Sequence, residues 1–297
     1  MAVGSPPTVR RRQLGRELRG LREQHGMLAE DLAEKLRCSA SRVSRIETAR
    51  IRIAPGTVHE ILDILEVHGA ERARLVKLAR EADEQGWWQE YTDRLTYEYS
   101  TYIALESEAA TLRVFQPALV YGVLQTERYV RAVMEQGASL RSASEVEAKV
   151  QARLGRQPLL QKAGAPDVHV VFDEAVLHHV IGDRDILRSQ LHHLVGLSRL
   201  PNLTIQVLPF SSADLLAFVP GSMVIMTFPD QNDGPVVYLE SMGGDLYIER
   251  PEIVQRYVSL YERLSAQALS PKESLAMIES LAKTRRSTKR TSVPAAR

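Results

Sequence analysis

The feature that most restricts the fold is a 20-residue stretch, LAEDLAEKLRCSASRVSRIE, at residues 28–47. Its apolar residues recur at helical spacing in two runs, separated only by a few polar residues. The predicted core-facing residues of the first run are Leu28, Leu32, Ala33 and Leu36. Val43 and Ile46 face the core from the second run, and Ser39 precedes that run as a strong helix N-cap. The pattern therefore predicts two helices joined by a tight turn, with the small Ala33 letting them cross closely.

The outward side of the second helix carries residue types that can bond to DNA bases. Val43 and Ile46 point inward, so Ser41, Arg42 and Arg45 remain outside. The major groove of DNA admits one α-helix, and arginine forks and hydroxyl groups can bond to its base edges. The sequence therefore predicts that these three residues contact bases. The alternative is a small helical bundle that docks another protein.

The residues that flank this helix are suited to binding phosphate. Ser39 and the free backbone N–H groups behind it can hold a phosphate at the start of the helix. Arg50 and Arg52 follow in the next loop and are predicted to contact phosphates.

Charge divides the chain into segments that suit different partners. Residues 1–80 contain 16 basic and 10 acidic residues, residues 81–282 contain 16 and 27, and residues 283–297 contain six basic residues and no acidic ones. A basic N-terminal part favours phosphate, whereas the acidic part requires a different partner. The alternative is that charge merely fluctuates along the chain.

The periodicity of apolar residues predicts two domains between two disordered ends. Residues 10–85 show five short helices and no strand pattern, whereas residues 86–282 mix helices with strands. Residues 1–9 and the basic tail 283–297 are predicted to be disordered. In the second domain, helices are predicted at 100–112, 125–137, 142–161, 184–199, 251–267 and 271–283. Strands are predicted at 167–173, 203–210, 222–228, 235–240 and 245–249.

Residues 10–70 resemble the lambda-repressor-like helix-turn-helix domain of the xenobiotic-response-element (XRE) family of regulators. The resemblance is carried by LGRELRGLREQHGMLAEDLAEKLRCSASRVSRIE. It implies that Ala40, Ser41 and Arg45 occupy base-contacting positions, and that Arg22 and Glu47 form an ion pair between the first and third helices. The sequence departs from the family where Leu28-Ala29 and Ala40 replace glutamine-containing positions. Base reading should therefore shift towards Ser41, Arg42 and Arg45.

Motifs spread over residues 86–282 resemble the C-terminal domain of a large family of actinobacterial regulators. Among them are GWWQEYTDRL, YIALESEA, VYGVLQTERYVRAVM and NLTIQVLPF. The resemblance implies an antitoxin-like transcriptional regulator that binds a small protein encoded by an adjacent gene. A ligand could instead provide the signal. The residues predicted to bind the partner are Trp87, Trp88, Tyr121, Gln125 and Thr126.

An enzyme with an appended DNA-binding domain is the alternative function. His178-His179 and His192-His193 are adjacent pairs, and adjacent helical residues point about 100° apart, so one pair cannot chelate a metal from one face. Asp173, Glu174 and His178 could form an acid–base cluster, but VVFDEAVL also suits a strand followed by a capped helix. The chain contains no phosphate-binding loop, dinucleotide fingerprint or nucleophile elbow.

The sequence thus predicts an all-α N-terminal lambda-repressor-like helix-turn-helix bundle of five helices and an α+β C-terminal domain. The predicted function is DNA-binding transcription regulation by a homodimer that recognises an inverted repeat, with no enzyme activity, cofactor or metal. A single cysteine, Cys38, excludes an intrachain disulfide and favours the reducing cytoplasm. No apolar run is long enough to predict a membrane span.

Overall fold

The computed structural model describes residues 9–49, 51–83, 95–136, 142–212, 221–230, 233–241 and 244–283. The N-terminal part is a bundle of five helices, which confirms the predicted all-α class. The helices are α1 (Val9–Gln24), α2 (Ala29–Lys35), α3 (Ala40–Glu47), α4 (Pro55–Ile64) and α5 (Gly69–Asp83). Their apolar faces form a core of their own, centred on fully buried residues such as Leu14, Leu62 and Leu75.

A glycine sets the distance between α1 and the end of α3. A Cβ atom on Gly15 would lie 2.5 Å from the backbone oxygen of Glu47 and 2.9 Å from that of Ile46. Both atoms belong to the backbone, so no side-chain movement could make room for a larger residue. Gly15 therefore allows the two helices to touch backbone to backbone.

The C-terminal part is built on one six-stranded mixed sheet. The strands are β1 (Thr111–Gln116), β2 (Asp167–Asp173), β3 (Leu203–Leu208), β4 (Met223–Thr227), β5 (Val236–Leu239) and β6 (Leu246–Ile248). Their order is β3-β2-β1-β4-β5-β6, in which β1, β2 and β3 are parallel and the β1–β4, β4–β5 and β5–β6 pairs are antiparallel. Together with the surrounding helices, this sheet confirms the predicted α+β class.

Helices cover both faces of the sheet. They are α6 (Tyr97–Glu108), α7 (Glu127–Gln136), α8 (Ala143–Leu154), α9 (Arg184–Leu197), α10 (Pro251–Gln267) and α11 (Pro271–Lys283). One core joins alternate strand residues such as Val114 and Val170 to Leu194 of α9 and Ile278 of α11. The opposite core joins Phe115, Val171 and Ile225 to Tyr261 and Leu264 of α10. The near-continuous apolar runs of the central strands follow from this burial on both sides.

The strand β1 corrects one sequence prediction. Residues 100–112 were expected to form a helix, but α6 ends at Glu108 and Thr111 begins a strand. This strand lies between β2 and β4 in the centre of the sheet. The sequence TLRVFQ follows α6 after only two alanines, without a glycine or proline that would mark the boundary. Pairing with strands far along the chain therefore decides its conformation, not local propensity.

Ion pairs connect α1 to the acidic C-terminal part. The guanidinium of Arg16 lies 2.6 Å from a carboxylate oxygen of Asp233, and that of Arg12 lies 3.0 Å from Glu249. The backbone N–H of Arg10 also donates to the carboxylate of Glu108 at 3.2 Å. The basic first helix thus faces the acidic part through its outer side, while α3 lies elsewhere on the bundle.

Candidate nucleic-acid interface

The turn between α2 and α3 has a defined hydrogen-bonded geometry. Arg37 adopts the left-handed backbone conformation, with φ of 52°, immediately after the end of α2. The N–H of Cys38 donates to the oxygen of Ala33 at 2.9 Å, and the N–H of Arg37 donates to that of Glu34 at 3.0 Å. This pair of bonds is the Schellman arrangement that ends many helices. It reverses the chain within a few residues and fixes the direction in which α3 leaves α2.

The third helix is anchored by two apolar residues and one cap. Val43 is 1% exposed and Ile46 is 4% exposed, and both pack in the N-terminal core. The Ser39 hydroxyl accepts a hydrogen bond from the N–H of Arg42 at 3.2 Å. The cap satisfies one of the backbone donors that a helix start leaves unpaired. The inward side of α3 is therefore fixed, and its other side faces away from the core.

The outward side of α3 is open to solvent. Ser41, Arg42, Ser44 and Arg45 are all exposed, so the described residues of the C-terminal part do not cover them. The Nε of Arg45 donates to the backbone oxygen of Ser41 at 3.3 Å, which places its guanidinium along the helix beside that serine. The structure brings the three predicted base-reading residues together on one exposed helical face.

The predicted phosphate contacts lie at the two ends of this helix. Ser39 is exposed at the N-terminal end, although its hydroxyl already serves as the helix cap. Arg52 is exposed in the loop that leads to α4. Arg50 lies outside the described residues. Ser39 and Arg52 are both open to solvent, as the predicted phosphate contacts require.

A buried ion pair connects the last turn of α1 to the last residue of α3. Arg22 Nε and Nη2 donate to the two carboxylate oxygens of Glu47 at 2.6 and 2.9 Å, and Arg22 Nη1 donates to the backbone oxygen of Met27 at 2.7 Å. The hydrogen bonds to Glu47 raise the pKa of Arg22, although burial acts in the opposite direction. Both side chains are less than a tenth exposed. The pair therefore serves the fold of the bundle and not the exposed face.

Two apolar positions differ from what the sequence suggests. Leu28 was expected in the core, but it is 64% exposed at the N-terminal cap of α2, where its N–H donates to the carboxylate of Asp31 at 2.7 Å. Helical periodicity extends the buried face of α2 back to its N-cap residue, so the sequence analysis placed Leu28 in the core. Ala40 is half-buried and packs against the core. It has no polar group to offer to a base edge.

Two of the predicted partner-binding residues of the C-terminal part are buried. Tyr121 is 2% exposed and Gln125 is 1% exposed, so the prediction that they lie on an exposed docking surface is wrong. The amide of Gln125 donates to the backbone oxygen of Val120 at 2.6 Å and helps to satisfy an irregular buried segment. Thr126 is half-buried. Trp87 and Trp88 lie outside the described residues.

The alternative metal site is not assembled in the part of the chain that the structure describes, and the residues of the alternative acid–base cluster serve the local fold. No group of three or more histidine, cysteine, aspartate or glutamate side chains there is arranged to hold a metal ion. Asp173 ends β2 and caps the following 3-10 turn by accepting from the N–H of Ala175 at 2.7 Å. Glu174 accepts from the N–H of Phe210 at 2.8 Å and lies 3.5 Å from His178. The strand followed by a capped turn is therefore the correct interpretation of VVFDEAVL.

Comparison with known families divides the chain as the fold does. Residues 13–75 match a family described as a helix-turn-helix domain, which supports a DNA-binding regulator. Residues 99–280 match a family described as a domain of unknown function (DUF5753). Neither the curated proteins nor the solved structures contain a significant match. None of the described helices is both long and apolar enough to cross a lipid bilayer. Because the second match covers most of the chain, the protein belongs to the family defined by this domain of unknown function, here preceded by a helix-turn-helix domain.

Proposed function

We propose that the chain is a sequence-specific transcriptional regulator that reads its operator with α3. The observation that carries the proposal is the exposed face formed by Ser41, Arg42 and Arg45 on a helix whose other side is anchored in the core. An arginine fork pairs best with guanine, and a serine hydroxyl accepts or donates at several base edges. We expect Arg45 and Arg42 to supply most of the base discrimination, since Ala40 has no polar group. The exposed Leu28 can add an apolar contact to a thymine methyl group.

The first experiment separates base reading from phosphate binding. Arg45→Ala should weaken specific binding by about 1–3 kcal/mol and relax base preference at one operator position. Arg52→Ala should weaken binding to all sequences alike and reduce the slope of log affinity against log salt by about one. Both affinities are measured by fluorescence anisotropy on the operator and on shuffled DNA over a salt series. Equal losses on both DNAs for both variants would contradict the assigned roles.

A homodimer on an inverted repeat is part of the same proposal. One helix-turn-helix presents a single recognition helix, and two heads about one helical turn apart are needed to cover a symmetric site. Sedimentation of the protein with and without operator DNA measures the stoichiometry. Two chains per operator are expected, and a single chain bound at full affinity would exclude the dimer.

We further propose that the acidic C-terminal domain makes the regulator antitoxin-like, acting in the cytoplasm by binding a small protein from an adjacent gene. Residues 86–282 contain 16 basic and 24 acidic residues, a charge of −8, so this domain repels DNA and suits a different partner. The ion pairs Arg16–Asp233 and Arg12–Glu249 connect that domain directly to α1. Tyr121 and Gln125 are internal, so the residues that remain proposed to contact the partner are Trp87, Trp88 and Thr126.

Truncation after Gln85 tests whether the N-terminal domain binds DNA and the C-terminal domain binds the partner. The bundle has its own core, so the fragment of residues 1–85 should fold and bind operator DNA, although less tightly without dimer contacts. Its DNA affinity should not change when the adjacent-gene protein is added, whereas that of the full chain should. A response by the fragment would place the sensing surface in the helix-turn-helix domain and contradict the proposal.

A further inference from the structure

Three acidic residues lie together at one end of the C-terminal sheet. Glu108 ends α6 just before β1, Asp233 lies between β4 and β5, and Glu249 follows β6. The pairing of these strands places the start of β1, the end of β4, the start of β5 and the end of β6 side by side. Residues far apart in the sequence therefore form one acidic edge, where Glu108 accepts a hydrogen bond from the backbone N–H of Arg10 at 3.2 Å.

The outer side of α1 meets this acidic edge. Arg12 and Arg16 are four residues apart, so they lie on one side of the helix. The guanidinium of Arg16 lies 2.6 Å from a carboxylate oxygen of Asp233, and that of Arg12 lies 3.0 Å from Glu249. The apolar side of α1 packs inside the helix-turn-helix bundle. One helix thus belongs to the core of the bundle and also contacts the C-terminal domain.

These polar contacts join two domains that do not share an apolar core. In the described part of the chain, the buried apolar residues of the bundle form one cluster and those around the sheet form others, with no member in common. Domains without a large apolar interface are expected to move relative to each other. The orientation of the bundle on the C-terminal domain therefore depends on the ion pairs of α1.

The buried carboxylate of Asp233 requires the positive charge of Arg16. Its side chain is 4% exposed, and its Oδ2 is buried with no hydrogen-bond partner among the described residues. Burial raises the pKa of Asp233, and the hydrogen bond from Arg16 acts in the opposite direction. A buried carboxylate without its counter-charge is strongly disfavoured. Removing the guanidinium of Arg16, which is 40% exposed, should therefore weaken the contact between the domains without changing the apolar core of the bundle.

We propose that Asp233 and Glu249 are positioning residues, which hold α3 in one orientation relative to the C-terminal domain and so determine the half-site spacing that the regulator accepts. The inference rests on the proposed homodimer, with its dimer contacts in the C-terminal domain. Gly15 and the Arg22–Glu47 pair attach α1 closely to α3, so the orientation of α1 also fixes that of α3. In a dimer with fixed heads, the separation of the two α3 helices matches only one separation of half-sites.

Arg16→Gln tests the proposal against a matched control, Arg19→Gln. Both substitutions remove one positive charge from α1, but Arg19 pairs with Glu23 of the same helix at 2.7 Å. Glu249→Gln removes the partner of Arg12, so it should act in the same direction as Arg16→Gln. It serves as the test if Arg16→Gln does not fold.

The first measurement uses the full chain without DNA. Spin labels are placed at Glu60→Cys in α4 and Lys272→Cys in α11, both exposed positions, in a Cys38→Ser background. Labelled protein is diluted with unlabelled protein, so that pulsed electron paramagnetic resonance reports the distance within one chain. We expect one narrow distance distribution in the labelled parent chain and in Arg19→Gln, and a broad one in Arg16→Gln. An equally narrow distribution in Arg16→Gln overturns the proposal.

The second measurement compares operators whose half-sites are moved apart by single base pairs. Each added base pair turns a half-site by about 35° around the DNA axis, since one turn takes roughly 10–10.5 base pairs. The wild type and Arg19→Gln should bind the altered operators about tenfold or more weakly, because one head loses its base contacts. Arg16→Gln should bind all spacings with similar affinity. An equally sharp spacing preference in Arg16→Gln overturns this inference and leaves the proposed function intact, whereas no operator binding by the wild type overturns both.

Discussion

Replacing Glu47 with glutamine should destabilise the helix-turn-helix bundle more than any surface substitution does. Glu47 and Arg22 are bonded through both oxygens and are 7% and 9% exposed. The variant leaves the guanidinium buried without its counter-charge. Removing one partner of a buried pair costs about 3–5 kcal/mol. We expect the lower end, about 3 kcal/mol, because Glu23 lies 3.6 Å from Arg22 and offers partial compensation.

Scanning calorimetry of the full chain measures this loss as a shift in the melting temperature of the bundle. For a domain of this size, 1 kcal/mol corresponds to roughly 4–8 °C, so the shift should be about 12–24 °C. Asp63→Asn is the matched control, because it removes an ion pair with Arg72 in the same bundle and Asp63 is 67% exposed. That control should cost at most about 1 kcal/mol.

A double replacement tests whether the unpaired buried charge of Arg22 causes the loss of stability. Arg22→Met combined with Glu47→Leu removes both charges and should recover much of the stability lost in Glu47→Gln, since apolar replacement of a buried pair is often neutral. The reasoning is refuted if Glu47→Gln melts within a few degrees of the Asp63→Asn control. Unchanged melting together with lost operator binding would instead place Glu47 at the DNA.

Two further predictions concern glycine contacts, and a third concerns a half-buried histidine. Gly15→Ala forces its Cβ against the backbone of α3 and should cost about 1–3 kcal/mol in urea unfolding. At Gly20, in the same helix, an added Cβ would meet nothing within 4 Å beyond its chain neighbours and the helix's own backbone. Gly20→Ala should therefore stabilise by about 0.5–1 kcal/mol, and equal effects of the two substitutions would contradict the close approach. Gly122→Ala places its Cβ 2.8 Å from Arg156 Nη1 and should lower the melting temperature of the C-terminal domain, whereas Gly196→Ala should not. Burial lowers the pKa of His193, so the native state resists protonation, and stability is lost as pH falls below about 6.5. His193→Gln should reduce this loss between pH 7.5 and 5.5, and an unchanged pH profile would disprove it.

Local patterns in the sequence determined most of the secondary structure. Five predicted strand segments contain observed strands, and DVHVVFD coincides with β2 at both ends. Ser39 was identifiable as a cap because its role depends only on the residues that follow it. The exposed face of α3 could also be predicted, because helical spacing alone assigns Val43 and Ile46 to one side. Pairing of Arg22 with Glu47 was expected only from the family resemblance, since neither residue signals a partner 25 positions away.

Only the tertiary structure decided the features that depend on distant contacts. The central strand β1 is held by β2 and β4, whose residues lie more than 50 positions away, and its six residues follow α6 too closely for local pattern to separate the two. Tyr121 and Gln125 have polar groups that suggested a surface, yet they are internal because their hydroxyl and amide find partners there. Glu106 and Arg156 form a buried ion pair, although they are 50 residues apart and have no shared motif. Local propensity acts over a few residues, whereas burial and charge pairing depend on which segments the fold brings together.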